Sequence, residues 1–252
     1  MKRAGKVILI GAGPGDPELL TLKAVRALQA CDVLFIDDLV HPDVLLHARH
    51  DARRVAVGKR GGCRSTPQEF IERRMVRYAR AGFTVGRVKG GDPFIFGRGG
   101  EEMLALREAG IEVEVIPGIT AGAAVPAAFG IPVTHREFSR GVTFITGHTK
   151  DGAPLDYAAL AASGTTLVVY MGIATLPAIT AGLIAAGLSP DTPACAIRNG
   201  TLPDATRVLS TLARLALDVA QAGLASPAIV VIGEVVRLAH RDAQPAWQRR
   251  AA

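Results

Sequence analysis

Five short apolar runs punctuate the first half of the chain, at 7–10, 33–36, 55–57, 85–88 and 111–116, with helical patterns between them. They recur about every 22 to 30 residues, the spacing of successive βα units, which predicts a mostly parallel sheet with helices on its faces. Helix signals support the pattern. Thr66-Pro67-Gln68-Glu69 reads as a capping box with proline at the first helical position, opening a helix that runs to Ala81 before Gly82. Asp16-Pro17 and Thr21 both offer starts for a helix carrying Leu22, Val25 and Leu28. A further helical pattern runs from Glu101 to Ala109.

The texture changes after residue 117. An Ala-rich helix opened by Pro117-Gly118-Ile119-Thr120-Ala121-Gly122 ends near Gly130, and strands are expected at 142–146, 167–171, 194–197, 207–210 and 229–232. No Asp, Glu, Lys or Arg occurs from Tyr157 to Pro190. Gly164, Gly172, Pro177 and Gly187 interrupt that stretch, so it reads as a buried strand and a buried helix (176–186) rather than a membrane span. The expected organisation is α/β throughout: an N-terminal domain at 1–120 with a mostly parallel sheet, a C-terminal domain at 121–240 with a mixed sheet, and a tail at 241–252.

Nearly half the residues are apolar, which fits a folded protein with a sizeable core. The net charge of +6 suits a polyanionic partner, but no Lys/Arg block has the length of a nucleic-acid arm. Cys31, Cys63 and Cys195 show no metal-ligand spacing, so neither a zinc site nor a disulfide framework is expected. Met1-Lys2-Arg3 leads into a strand without the apolar stretch of a signal peptide, and a cytoplasmic protein is expected.

Candidate chemistry concentrates in loops that follow apolar runs. The run KGGDPFIFGRGGEE (89–102) has two Gly-Gly pairs and Asp92 at a strand exit. Glycine there permits close approach of a ligand or positive φ. Gly11-Ala12-Gly13-Pro14-Gly15 approaches a dinucleotide fingerprint, but its spacing is wrong and Pro14 interrupts it; a tight turn and a site for an adenosine-like ligand both remain open. The loops at 117–122, 170–172 and 199–201 are built similarly. Ligands of open parallel sheets bind at the carboxyl ends of strands, so these loops together predict a crevice. Asp37 and Lys59, placed at strand ends, could serve as proton acceptor and donor, or be solvated loop charges. Arg60, Arg64, His135, Arg136 and Arg140 could meet carboxylates or phosphates. No nucleophile elbow, Walker loop or HExxH motif occurs, which leaves acyl transfer, NTP hydrolysis and zinc proteolysis unsupported.

Taken together, GAGPGDPELLTLKA (11–24), GKRGG (58–62), VKGGDPFIFGRGGEE (88–102), IPGITAG (116–122), GIPVTHR (130–136), TGH (146–148), YMG (170–172), NGT (199–201) and SPAIVVIGEVV (226–236) resemble the tetrapyrrole methylase family of S-adenosylmethionine-dependent enzymes. The resemblance implies a homodimer of two-domain chains with an active-site cleft between the domains. It assigns cofactor binding to Pro14, Gly90, Gly91, Asp92, Ile95, Thr120, Ala121, Met171, Gly200 and Ala228. Asp37 matches the family's proton acceptor and Lys59 its proton donor; Arg60, His135 and Arg136 are candidates for substrate carboxylates. GKRGG and GGDPFIFGRGGEE point to the branch acting on uroporphyrinogen-III, methylating carbons 2 and 7 to give precorrin-2 and S-adenosylhomocysteine without a metal, for sirohaem or cobalamin synthesis. The alternatives are a sister methylase acting on a later corrin, a non-catalytic tetrapyrrole or nucleotide-binding protein that kept the fold, and, more remotely, a nucleic-acid or translation-factor methylase of the same superfamily. Asp38, Glu72 and Ala205 depart from the family's usual residues and bear on substrate contacts rather than on the cofactor loops.

Overall fold

The computed structural model describes residues 5–58, 66–148, 153 and 155–239. The chain divides into two units, Met1–Ala121 and Gly122–Ala252. In the first unit, β1 (Lys6–Gly11), β2 (Val33–Ile36), β3 (Arg53–Ala56), β4 (Val85–Lys89) and β5 (Glu112–Ile116) form a sheet in the order β3-β2-β4-β1-β5. Every neighbouring pair is parallel. Alternate residues feed two cores. Ile8, Ile10, Leu34 and Val88 pack with Ala24, Ala27 and Leu28 of α1 (Leu22–Ala30). Val7, Leu9, Val33, Phe35 and Val85 pack with Ile71, Met75 and Ala79 of α2 (Gln68–Arg80) and Leu106 of α3 (Gly99–Glu108). Because both faces are covered, β1 and β2 show as unbroken apolar runs in the sequence, whereas β4 also carries Arg87 and Lys89. Met75 is fully buried, and its truncation to alanine would cost about 2–5 kcal/mol.

The expected elements all occur, with local corrections. The Thr66 capping box does not form: Pro67 occupies the N-cap position of α2, with no side-chain cap bond. Asp16 and Thr21 start two separate elements. Asp16 accepts the Glu18 N–H and opens a short 3-10 turn (Pro17–Leu19), whereas Thr21 accepts the Ala24 N–H and caps α1. Strand β3 lies at 53–56 rather than 55–57, in register with β2 through Val33 and Arg53. As an edge strand it carries exposed arginines that hide it from an apolar-run reading. Helix α3 begins at Gly99, two residues before the expected start.

Helix α4 (Ala121–Ala128) starts at the last residue of the first unit, and in the second unit it leads to β6 (Val142–Thr146), α5 (Tyr157–Ala162), β7 (Thr166–Tyr170), α6 (Leu176–Ala185), β8 (Pro193–Arg198), β9 (Thr206–Thr211), α7 (Leu215–Gln221) and β10 (Ala228–Ile232). The sheet runs β6-β7-β10-β8-β9; only β6 and β7 are parallel, so it is mixed as expected. Helix α6 buries Leu176, Ile179, Thr180 and Leu183, the i, i+3, i+4, i+7 face that seats it on Leu167, Val169, Val230 and Ile232. Thus the charge-free stretch is a core strand and a core helix. Among the described residues, no helix is long and apolar enough to cross a membrane. Helices α5 and α7 lack a clear periodic signal because they are short; α5 buries no residue fully and starts where Asp156 accepts the Ala159 N–H.

Candidate active site

Strands β1 and β4 are neighbours, yet the chain leaves them toward opposite faces, to α1 and α3 respectively. Such a switch point opens a crevice at the carboxyl ends of the strands. The two glycine-rich loops flank it and are laced together by main chain. Ala12 N–H donates to Lys89 O at 2.8 Å, Gly91 N–H to Gly13 O at 2.6 Å, and Gly13 N–H to Gly91 O at 3.2 Å. Gly13 and Gly91 hold φ of +73° and +67°, a region that favours glycine. The loop after β5 joins them: a Cβ on Gly11 would lie 2.6 Å from Gly118 Cα and 2.9 Å from Gly91 O, so only glycine permits this contact.

Asp92 fastens the junction. Its Oδ1 accepts the Phe94 N–H at 2.8 Å and its Oδ2 the Gly118 N–H at 3.0 Å. A Cβ on Gly91 would make only ordinary van der Waals contact, with Ala121 N at 3.7 Å and Thr120 Cα at 4.0 Å. Pro14, Gly90, Gly91, Asp92, Ile95, Thr120 and Ala121 are therefore gathered at one end of the first sheet, and all of them are partly exposed. Further along the loop, Phe96 and Arg98 adopt left-handed φ of 51° and 58°.

Asp37 follows β2 at the same end. Its Oδ2 lies 3.2 Å from Arg87 Nη2 and 3.6 Å from Lys89 Nζ. Glu102 of α3 completes the cluster, with Oε1 2.9 Å from Arg87 Nε and Oε2 3.3 Å from Lys89 Nζ. The apolar run at 85–88 conceals this: Arg87 and Lys89 alternate with Gly86 and Val88, which puts two cations on one buried face and calls for carboxylates opposite them. Lys59 and Arg60, the expected proton donor and a substrate candidate, lie outside the described residues. The cations that meet Asp37 among the described residues are Arg87 and Lys89.

The second unit gathers its own set. Strand β10 runs antiparallel to β7 and β8, so its first residue, Ala228, shares an end with Met171 and Gly200, which follow those strands. Met171 is half exposed, with φ of 52°. Gly147 abuts it so closely that a Cβ would meet Gly172 Cα at 2.6 Å, and Thr175 Oγ1 donates to Gly147 O at 2.9 Å. Tyr170 Oη accepts the Gly122 N–H at 2.6 Å, fixing the start of α4 to the end of β7. A Cβ on Gly200 would meet Val125 of α4. His135 opens a turn closed by its main-chain bonds to Ser139. Its Nδ1 accepts the Glu137 N–H at 3.2 Å and its ring stacks on Phe138, which leaves Nε2 to donate; Arg136 is exposed next to it. Tyr170, Thr175, Arg87, Lys89 and Glu102 are the supporting residues that the motif reading did not single out for a role. Among the described residues, no group of His, Cys, Asp and Glu is arranged to hold a metal ion.

The sequence pattern of the tetrapyrrole (corrin/porphyrin) methylases matches residues 6–216. The chain is 59% identical over 234 residues to the uroporphyrinogen-III C-methyltransferase of Pseudomonas aeruginosa, covering 93% of this chain and 95% of that protein. It is 54% identical to the enzyme of the same name from Pseudomonas fluorescens, over 92% of this chain and 94% of that one. Among solved structures, the Thermus thermophilus uroporphyrin-III C-methyl transferase complexed with S-adenosylhomocysteine superposes with a TM-score of 0.80 at 40% identity, covering 93% of this chain and all of that one.

Proposed function

The chain belongs to the tetrapyrrole methylase family, and we propose that it methylates uroporphyrinogen-III at carbons 2 and 7, giving precorrin-2 by way of precorrin-1. It is a methyltransferase that uses S-adenosylmethionine. The donor set suits that cofactor: glycine loops present main-chain N–H and C=O groups, and a Cβ at Gly11, Gly118 or Gly200 would disturb the backbone packing that shapes them. When bound, S-adenosylmethionine supplies a methyl group on a positively charged sulfur.

The chain's own residues do the rest. Pro14, Gly90, Gly91, Asp92, Ile95, Thr120 and Ala121 in the first unit, and Met171, Gly200 and Ala228 in the second, bind the cofactor. Asp37 accepts the proton that the methylated macrocycle gives up, and Lys59 acts as donor. Arg60, His135 and Arg136 meet the carboxylates of a substrate that carries eight, which accords with the chain's net charge of +6. Fixed geometry and exclusion of water, rather than a metal, promote the displacement. The protein works as a cytoplasmic homodimer.

The observation that carries this reading is the 59% identity across nearly the whole of both chains. The test is a methylation assay on enzymatically generated uroporphyrinogen-III, with products identified by mass. Successive mono- and dimethylated products are expected. Transfer to a later corrin with none to uroporphyrinogen-III would overturn the reading in favour of a sister methylase.

A further inference from the structure

Arg87, Lys89 and Glu102 are almost wholly buried, at 2%, 3% and 0% exposure. Asp37, the fourth member of their cluster, keeps about a third of its side chain exposed. Two cations thus face two anions, and Gln68 of α2 adds a hydrogen bond from Nε2 to Glu102 Oε1 at 2.7 Å. Burying such ions costs several kcal/mol each before pairing, and apolar residues of similar volume often serve stability as well or better. A cluster serving packing alone could close on itself. This one instead ends in a carboxylate at the carboxyl edge of the sheet, where the glycine loops meet.

We propose that Lys89 and Glu102 are positioning residues for Asp37, Lys89 holding the carboxylate in place and Glu102 sharing the two cations with it. The proposal rests on the reading of Asp37 as proton acceptor. Geometry gives each partner a distinct part. Lys89 Nζ stands between the carboxylates, 3.6 Å from Asp37 and 3.3 Å from Glu102. Arg87 spans the same two groups from the neighbouring position on that face. Glu102 has no other cation partner among the described ion pairs, so its close charge contacts are with Arg87 and Lys89. Burial pushes the Lys89 ammonium below its ordinary value, and the Arg87 charge pushes the same way; Glu102 and Asp37 oppose both. The two carboxylates thus favour the charged form of Lys89.

Among the described residues, further charged groups near the cluster are Asp38, next to Asp37 in the chain, Glu72 on α2, and Arg98 and Glu101 at the start of α3. Glu72 has its carboxyl raised by burial and by the Glu102 charge, and Arg98 pairs with Glu101 farther out. None of these makes an ion pair with Asp37 among the described residues.

The test compares pH profiles of kcat/KM on uroporphyrinogen-III for the full chain and for Lys89→Gln, Lys89→Arg and Glu102→Gln. Removing a cation disfavours the Asp37 carboxylate, so Lys89→Gln moves the acid limb up by about one pH unit; removing an anion does the reverse, so Glu102→Gln moves it down. Lys89→Arg restores most of the wild-type profile. S-adenosylhomocysteine affinity, read by calorimetry, stays at the wild-type level in all three. A rate loss in both neutral variants with the acid limb unmoved, or a failure of both to fold while Lys89→Arg keeps the wild-type profile, marks a structural cluster and overturns the proposal. A wild-type chain without transfer to uroporphyrinogen-III is a different result, which overturns the functional reading and the inference resting on it.

Discussion

The Oδ2 atom of Asp92 accepts the Gly118 N–H at 3.0 Å, and that single bond ties the loop after β4 to the loop after β5. With Oδ1 committed to Phe94 N–H, the carboxylate shapes the cradle as well as bordering it. Asp92→Ala leaves the partly buried Gly118 N–H without its acceptor and should cost about 1–3 kcal/mol of stability. S-adenosylhomocysteine binding should weaken along with it. Thermal melting and calorimetry on one preparation check both; unchanged affinity in a destabilised variant would separate the shaping role from the binding one.

Glycine positions divide sharply in what they tolerate. Gly118→Ala forces a side chain into Gly91 and Gly11 backbone and should abolish cofactor binding while lowering stability. Gly100→Ala, in α3 with nothing within 4 Å of the added atom, should instead stabilise the protein by about 0.5–1 kcal/mol. Urea midpoints for the two variants give the contrast directly.

Much of this organisation is visible in the sequence. The strands of both sheets show because buried β-runs are short and apolar, and the cradle shows because glycine and strand exits coincide. What stays hidden has physical causes. β3 carries arginines because an edge strand faces water. The Asp37 partners hide inside an apolar run, since alternation puts Arg87 and Lys89 on a face whose counterions come from α3 and from the end of β2. Pairings of this kind join residues far apart in the chain, and no local pattern encodes them.

Tyr170 offers a test of loop placement. Tyr170→Phe removes the 2.6 Å bond from Gly122 N–H while keeping the ring, which packs edge-on against Phe144. A loss of about 1 kcal/mol in stability is expected, with a higher KM for S-adenosylmethionine and little change in kcat. Equal falls in kcat and kcat/KM would place Tyr170 in the chemical step instead.

Met171 holds a left-handed backbone that costs a non-glycine residue about 1–3 kcal/mol. Met171→Gly should therefore raise the melting temperature while weakening S-adenosylhomocysteine binding, since the half-exposed side chain is lost. Differential scanning calorimetry with and without the ligand reads both effects. A lower melting temperature would show that packing by the side chain outweighs the strain.

Alkaline pH should loosen the fold through two thiols. Burial pushes Cys31 and Cys195 from 9.0 to about 12, so the folded chain retains protons that the unfolded chain releases. Their stabilising contribution is complete below pH 9.0 and is lost progressively as pH rises toward about 12. The slope is roughly 1.4 kcal/mol per pH unit for each thiol within that window. Urea titrations across it should show the decline, and Cys195→Ala should flatten it.

The meeting of Gly11, Gly91 and Gly118 also governs how this protein can be mapped and diversified. An alanine scan finds functional residues by deletion, but at these positions alanine adds an atom, so the scan reports a misshapen fold rather than a lost contact. The information there resides in omitted side chains. Beyond that junction the loop turns outward at Phe94 and Phe96, which are both exposed. Variants at Phe94 that keep the three glycines and Ile95 are expected to hold S-adenosylhomocysteine affinity, read by calorimetry.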